Sequence, residues 1–135
     1  MQEITVTTER HTQLVDITPQ VREALNGADG AAVLVYVPHT TAGLTINEHA
    51  DPMVARDFEM ALERIVPEEW GWKHLEEGEE NAPSHPRASL MGPHVLVPLA
   101  DGELARDRLA ECASLRAEAE SLASSVRAAV SGSLP

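Results

Sequence analysis

AAVLVYVPH, residues 31–39, is apolar without interruption from Ala31 to Val37. Such a run is typical of a strand that lies in the middle of a sheet and is buried on both faces. The strand brings His39 to its end. TTAG follows, with the flexible Gly43, and LTIN forms a further short strand. The sequence therefore predicts a central strand whose end carries polar groups on a tight connection.

The residues before and after this strand have the patterns of further strands and short helices. EITVTT and QLVDIT alternate apolar and polar residues, which predicts two strands joined as a hairpin. A helix follows, with Thr18 as its N-cap, Pro19 at its first position and Gly27 at its end. A second helix is predicted within ADPMVARDFEMALERIVP, where Asp51 caps the N-terminus.

The second half of the chain is predicted to contain a long loop, two strands and a helix. Residues 68–86 have no periodicity and carry two tryptophans and many acids, which favours a functional loop or lid over a simple connection. RASLMG and HVLVPLADGEL have the pattern of strands. From residue 105 onward the chain is rich in Ala, Leu, Glu and Arg, with apolar residues at three- and four-residue steps, so a C-terminal amphipathic helix is predicted.

Composition limits the class of protein. A chain of 135 residues with one cysteine fits a single domain without a disulfide framework. No targeting or membrane-spanning pattern is visible, so a cytoplasmic location is expected. The net charge of −12 argues against nucleic acid and membranes as partners. Residues 1–104 hold 18 acids against 6 bases, so an anionic substrate would need a divalent metal or well-placed donors.

Four polar groups are candidates for chemistry, although each has a simpler explanation. A histidine at a strand end is commonly a hydrogen-bonded loop residue, Asp51 is explained by capping, the acids of residues 76–80 by solvation, and the tryptophans by anchoring of the loop. The groups are His39 with Thr40 and Thr41; Asn47, Glu48, His49 and Asp51; His74; and Asn81, His85, Arg87 and Ser89.

Convergence of three histidines would turn these groups into a site. His39, His74 and His85 could bind Zn²⁺ or a similar cation with one position open, as catalytic zinc sites do. The hydroxyl and N–H groups of the turn from Thr40 to Gly43 could hold a phosphate, with Arg87 as a cationic clamp. Spacing alone does not establish this convergence, because no strong metal motif is present.

Residues 1 to about 104 resemble the YjbQ-type family, known as secondary thiamine-phosphate synthase enzymes. The resemblance rests on HTTAGLTINEHADPMVARD, then His74, then EEGEENAPSHPRASLMG and VLVPLADGEL in order. It implies an α+β fold, a small single domain on a twisted, mainly antiparallel sheet system with two short helices, assembled as a homotrimer. It ends near Leu104, so the interpretation is a YjbQ-like domain over 1–104 and an atypical helical tail, not an independent domain, over 105–135.

The resemblance also implies site residues. The family's characteristic histidines correspond to His39, His74 and His85, as metal or phosphate ligands, with zinc or magnesium as the metal. Its recurrent polar positions correspond to Asn47, Glu48, Asp51 and Asn81, which join His39 as catalytic candidates. Candidates for substrate binding are Thr40, Thr41, Gly43, Arg87 and Ser89, and Arg87 stands where the family usually has lysine.

The activity that the resemblance implies is a weak, metal-assisted joining of a pyrimidine pyrophosphate to a thiazole phosphate, which releases pyrophosphate. The thiazole nitrogen attacks a methylene as pyrophosphate leaves, so catalysis means positioning two phosphorylated small molecules and neutralising the leaving group. The alternative is a catalytically silent metal- or phosphate-binding domain that uses the C-terminal helix for oligomer or partner contacts.

The C-terminal segment departs from the family. After DGEL the family continues with a Gly-Thr-Trp-Gln segment and a strand pair, and this chain has ARDRLAECAS instead. A frameshift would explain the Ala- and Arg-rich composition, whereas a true replacement would let the helix cover a sheet edge or join a partner. A third possibility is an unstable chain that lacks two strands.

Overall fold

The three-dimensional structure, a computed structural model, describes residues 2–10, 12–26, 28–75, 81–105, 113–118 and 124–131. Within these ranges the chain has an α+β fold on antiparallel strands, as predicted. The elements in chain order are β1 (Gln2–Val6), β2 (Leu14–Asp16), α1 (Thr18–Ala24), β3 (Ala32–Tyr36), β4 (Gly43–Glu48), α2 (Pro52–Ile65), α3 (Ser84–Met91), β5 (His94–Ala100), β6 (Glu103–Leu104), β7 (Ala113–Glu118) and β8 (Ser124–Ser131).

The larger sheet places β3 at its centre. Its strand order is β1-β8-β3-β5-β6, with antiparallel pairing throughout. Val33 and Val35 are fully buried on the inner face, whereas Leu34 is half-buried and Tyr36 is exposed on the outer face. The central position is confirmed, but burial on both faces is wrong for the single chain, because nothing in the described residues covers the outer face.

The predicted N-terminal hairpin is wrong. β1 belongs to the larger sheet, and β2 belongs to a second sheet of order β2-β7-β4. Each strand takes its antiparallel partner from the C-terminal segment, β1 from β8 and β2 from β7. Alternation had identified the two strands correctly, but it does not specify which strand pairs with which.

The predicted C-terminal helix is also wrong, because the described parts of residues 105–135 form two strands. β8 lies between β1 and β3, where Ala128 is paired with both Gln2 and Val35. β7 lies between β2 and β4. Each strand supplies backbone hydrogen bonds on both sides, and this tertiary pairing overrides the modest helix propensity of an Ala-rich sequence. The division of the chain at residue 104 stays a prediction.

A third correction concerns RASLMG, which is part of helix α3 and not a strand. Pro86 fits within the first turn of the helix, where a missing N–H breaks no intrahelical bond. The helix ends at Gly92, whose φ of 97° favours glycine. The sequence suggested a strand because α3 is short and only some of its residues, including Arg87 and Ala88, are buried.

Of the other two helices, α2 begins as its sequence indicates, whereas the predicted N-cap of α1, Thr18, is its first helical residue. Pro19 lies in the first turn of α1, although the N-cap is Ile17, and Asp16 Oδ1 accepts a bond from the Thr18 N–H at 2.9 Å. Asp51 caps α2 and accepts from the Met53 N–H at 2.8 Å. The predicted helix end at Gly27 and the predicted solvated acids of residues 76–80 lie outside the described residues. No helix among those described is long and apolar enough to span a membrane.

Candidate functional site

The end of β3 delivers His39 and Thr40 to an exposed turn. The Val37 N–H donates to the Pro93 carbonyl at 2.8 Å, which ties the strand's end to the start of β5. His39 and Thr40 follow as exposed residues, and Ala42 returns to the core. The apolar run therefore does what its pattern predicts, because it carries a histidine and a hydroxyl to a fixed edge of the sheet.

Helix α3 brings a second histidine to the same edge. α3 packs against the start of β4 at Gly43, where an added Cβ would lie 2.6 Å from Met91 Cβ and 3.0 Å from the Ala88 carbonyl oxygen. The Leu44 N–H donates to the Gly92 carbonyl at 2.8 Å and holds the helix's end to the same strand. Gly43 was a substrate-binding candidate, and the described contacts give it a packing function.

His39 and His85, the histidine on α3, line one cleft of ≈ 480 Å³, which we call the histidine cleft. Its volume lies in the range of ordinary small-molecule sites. The side chain of Ser89 lines it too, and its hydroxyl donates to the His85 carbonyl at 2.9 Å. The complete described lining is Tyr36, Val37, Pro38, His39, Thr40, Ala42, His85, Ala88, Ser89 and Pro93.

His85 carries the most conspicuous polar atom of this cleft. Its Nε2 is buried and has no hydrogen-bond partner among the described residues. A buried polar nitrogen without a partner costs free energy of about 1–3 kcal/mol, so such atoms are usually satisfied by water or by a ligand. The Nε2 of His85 is therefore the atom in this cleft that most lacks a hydrogen-bond partner.

His74 approaches His85 from the segment that follows α2. The two imidazole ring centroids are 5.2 Å apart, with an interplanar angle of 71°, so the rings meet edge to face. His74 is exposed. In the described part of the chain, no group of three or more His, Cys, Asp or Glu side chains is arranged to hold a metal ion. Ligation of a metal by all three histidines stays a prediction.

Most of the remaining polar candidates lie away from the histidine cleft. Asn47 and Glu48 are at the far end of β4 from Gly43, about 13–17 Å along the strand. Asn47 Oδ1 accepts from the Glu48 N–H at 2.8 Å, and Asp51 is occupied as the helix cap. Thr41 and Asn81, both half-buried, are not in the described lining either. Their predicted catalytic or binding roles stay predictions.

Arg87 is buried, with 1% of its surface exposed, and each of its three side-chain nitrogens donates one hydrogen bond. Nε and Nη2 donate to the Val66 carbonyl at 3.1 and 2.8 Å, and Nη1 donates to Thr12 Oγ1 at 3.2 Å. The phosphate-clamp role stays a prediction, and the described bonds give this arginine a structural role. Sequence reasoning missed Thr12 and Val66, since neither carries a motif that signals this contact.

Comparison with known proteins places this arrangement in a family. A family model described as UPF0047 protein YjbQ-like matches residues 2–115. The chain belongs to this family. A UPF0047 protein of Methanocaldococcus jannaschii is 42% identical over 73% of this chain and 70% of that protein. One of Archaeoglobus fulgidus is 40% identical over 76% of this chain and 79% of that protein.

Solved structures agree with the UPF0047 assignment. A YjbQ/UPF0047 crystal structure from Clostridium acetobutylicum has a TM-score of 0.86 and 31% identity, covering 97% of this chain and 100% of that one. A protein of unknown function from Sulfolobus solfataricus has a TM-score of 0.86 and 25% identity, covering 98% of this chain and 96% of that one. The matches establish fold and relationship, and the family's names state no activity.

Proposed function

We propose that this UPF0047 protein is a phosphate-handling enzyme whose substrate binds in the histidine cleft. The observation that carries the proposal is the chemistry of the cleft lining. It contains two imidazoles and three hydroxyls, and none of its described residues is acidic. In a chain of net charge −12, a cleft without carboxylates is where an anion meets the least repulsion.

Other clefts of the described chain have the opposite character. One is lined by Glu3 and Glu23, and another by Glu63, Glu68 and Glu69 beside Arg87, whose nitrogens already donate to protein oxygens. Carboxylates at those positions repel phosphate, whereas imidazole N–H and hydroxyl groups donate to phosphate oxygens. The contrast favours the histidine cleft as the anion site.

The reaction that fits this site and the family resemblance is the joining of a pyrimidine pyrophosphate to a thiazole phosphate. The thiazole nitrogen forms a bond to the pyrimidine's methylene carbon, and the C–O bond to pyrophosphate breaks, with its electron pair leaving on the pyrophosphate oxygen. His39, Thr40 and His85 would donate to that departing group, and the apolar wall at Ala42 and Ala88 would hold the ring.

A direct test measures inorganic pyrophosphate affinity by calorimetry and thiamine phosphate formation by chromatography. We expect His85→Ala and His39→Ala each to lower affinity and turnover by about tenfold or more while remaining folded. His49→Ala is the matched control, because His49 is exposed and lies 3.4 Å from Asp16, outside the cleft lining. Unchanged binding in both cleft variants would overturn the proposal.

A catalytically silent binding domain is the rival that this experiment separates. It predicts pyrophosphate binding that depends on His39 and His85, with no product formed by the wild-type protein. Metal content of the purified protein is measured in parallel. Near-stoichiometric metal that is lost in both variants would support ligation by the histidines, although no step above depends on it.

Homotrimer assembly and a cytoplasmic location complete the proposal. Support for assembly comes from the outer face of the larger sheet, where Leu34 is paired with Leu96, which is 60% exposed. Exposed apolar surface of this kind commonly marks an interface.

A cytoplasmic location is supported by the single cysteine of the chain.

A further inference from the structure

We propose that Arg87 and Trp72 are positioning residues that set the contact between His74 and His85 by binding adjacent carbonyls at the end of α2. The inference depends on the proposed function only for the identity of the ligand that the cleft binds. It concerns two residues whose side chains donate hydrogen bonds to the Val66 and Pro67 carbonyls and to Thr12.

The two donors reach consecutive residues. Arg87 donates twice to the carbonyl of Val66, which is the C-cap of α2, and the Trp72 indole Nε1–H donates to the carbonyl of Pro67 at 3.1 Å. The last carbonyls of a helix lack intrahelical partners, and the helix dipole favours a cation there. The end of α2 is therefore a suitable anchor for both side chains.

Each donor is two residues away from a histidine. Arg87 follows His85 on α3, and Trp72 precedes His74 on the segment after α2. The segments are otherwise separate in sequence, yet their imidazoles meet at 5.2 Å. Anchoring both segments to neighbouring carbonyls restricts how far the two rings can move apart.

The opposite end of α3 is fixed independently. The Gly92 carbonyl accepts from the Leu44 N–H, and the Pro93 carbonyl accepts from the Val37 N–H. With that end held to the sheet, the bonds of Arg87 determine the tilt of the N-terminal half of the helix, which carries His85. Arg87 also binds Thr12, so it joins α3 to the segment before β2.

The alternative role for Arg87, binding phosphate, is poorly compatible with these bonds. All three of its nitrogens donate to protein acceptors, and the side chain is 1% exposed. Breaking the bonds to reach a ligand would leave a buried carbonyl unpaired, at a cost of about 1–3 kcal/mol. A positioning role requires only the hydrogen bonds that Arg87 makes in this structure.

The test observes the histidine rings directly in the ligand-free protein by NMR. Trp72→Phe removes the indole N–H and keeps an aromatic ring, Arg87→Met removes the guanidinium, and Arg87→Lys keeps a cation with a single nitrogen. We expect the nuclear Overhauser effect between the His74 and His85 rings to weaken and their ¹⁵N shifts to move in Trp72→Phe and Arg87→Met. Arg87→Lys should restore part of the signal.

A control and a second measurement make the result decisive. Arg64→Met, at an exposed position of α2, should leave the ring signals of His74 and His85 unchanged. Pyrophosphate affinity should fall by about tenfold or more in Trp72→Phe, as for other residues that orient a binding histidine. If Arg87→Met fails to fold, Trp72→Phe and Arg87→Lys decide the question.

Two results separate the failure of this inference from the failure of the proposed function. Folded Trp72→Phe and Arg87→Lys proteins with wild-type ring signals would overturn positioning, whatever the protein binds. Wild-type protein that binds no pyrophosphate but shows the expected ring changes would overturn the proposed function and leave positioning supported.

Discussion

At the scale of single residues, the histidine cleft depends on the missing side chain of Gly43. Nothing larger than hydrogen fits between β4 and α3, because Met91 Cβ and the Ala88 carbonyl occupy the space that a Cβ would need. Both contacts involve atoms close to the helix backbone, so they cannot move without moving α3. Helix α3, which carries His85 to the cleft, is thus held in place at Gly43, a residue that bears no functional group.

We expect Gly43→Ala to lower the free energy of unfolding by about 1–3 kcal/mol, since it overpacks a closely fitted contact. Urea denaturation followed by circular dichroism measures the change. Met91→Gly removes the atom only 2.6 Å from the new methyl group, so the double variant should lose less stability than the sum of the two single variants. A change below about 0.5 kcal/mol in the single variant would mean that α3 adapts freely.

At the scale of elements, α2 is the common support of the site. Its N-terminus is capped by Asp51, and its C-terminal carbonyl binds the side chain of Arg87. The sequence made Asp51 both a capping and a catalytic candidate. The structure shows the capping bond, and a pair of substitutions separates the two roles.

Replacing Asp51 by alanine should cost about 1 kcal/mol of stability, whereas Asp51→Asn should cost little, because asparagine also accepts the N–H bond of the first turn. Thermal unfolding measures both. Asp57→Ala, at an exposed position within the same helix, is the control. If Asp51→Asn keeps wild-type stability and loses turnover, the carboxylate has a catalytic role beyond the cap.

At the scale of the whole molecule, the larger sheet has one covered face and one apolar face open to solvent. Tyr36 and Leu96 are 42% and 60% exposed there, and the register places them on the same side as Leu34 and as His94, the partner of Tyr36. Exposed apolar side chains that lie close together commonly mark an interface. Association through this face would bury the side of β3 that the single chain leaves open, as its continuous apolar sequence predicts.

We expect the wild-type protein to sediment as a trimer and Leu96→Lys to sediment as smaller species, because a buried ammonium group would face an apolar surface. Ile65→Lys is the control, since Ile65 is 56% exposed on α2 and outside this face. Sedimentation equilibrium at several concentrations measures the mass. A monomeric wild type, or a Leu96→Lys protein of unchanged mass, would exclude trimerisation through this face.

The sequence by itself determined those features that depend on local pattern. A continuous apolar run identified the central strand β3 and placed His39 at its end, and Pro52 with Asp51 marked the start of α2, because periodicity, proline geometry and capping act within a few residues. His85 was a candidate from the sequence itself, resemblance to the family supported it, and the structure places it in the same cleft as His39.

Only the tertiary structure decided strand pairing, the form of the C-terminal segment and the partners of Arg87. β7 and β8 are strands in a sequence that favours helix, since each supplies hydrogen bonds to two neighbouring strands. The acceptors of Arg87 lie 21 and 75 residues away along the chain. Such contacts depend on which segments lie together in the folded chain. A buried cation then binds the oxygen atoms of the segments that surround it.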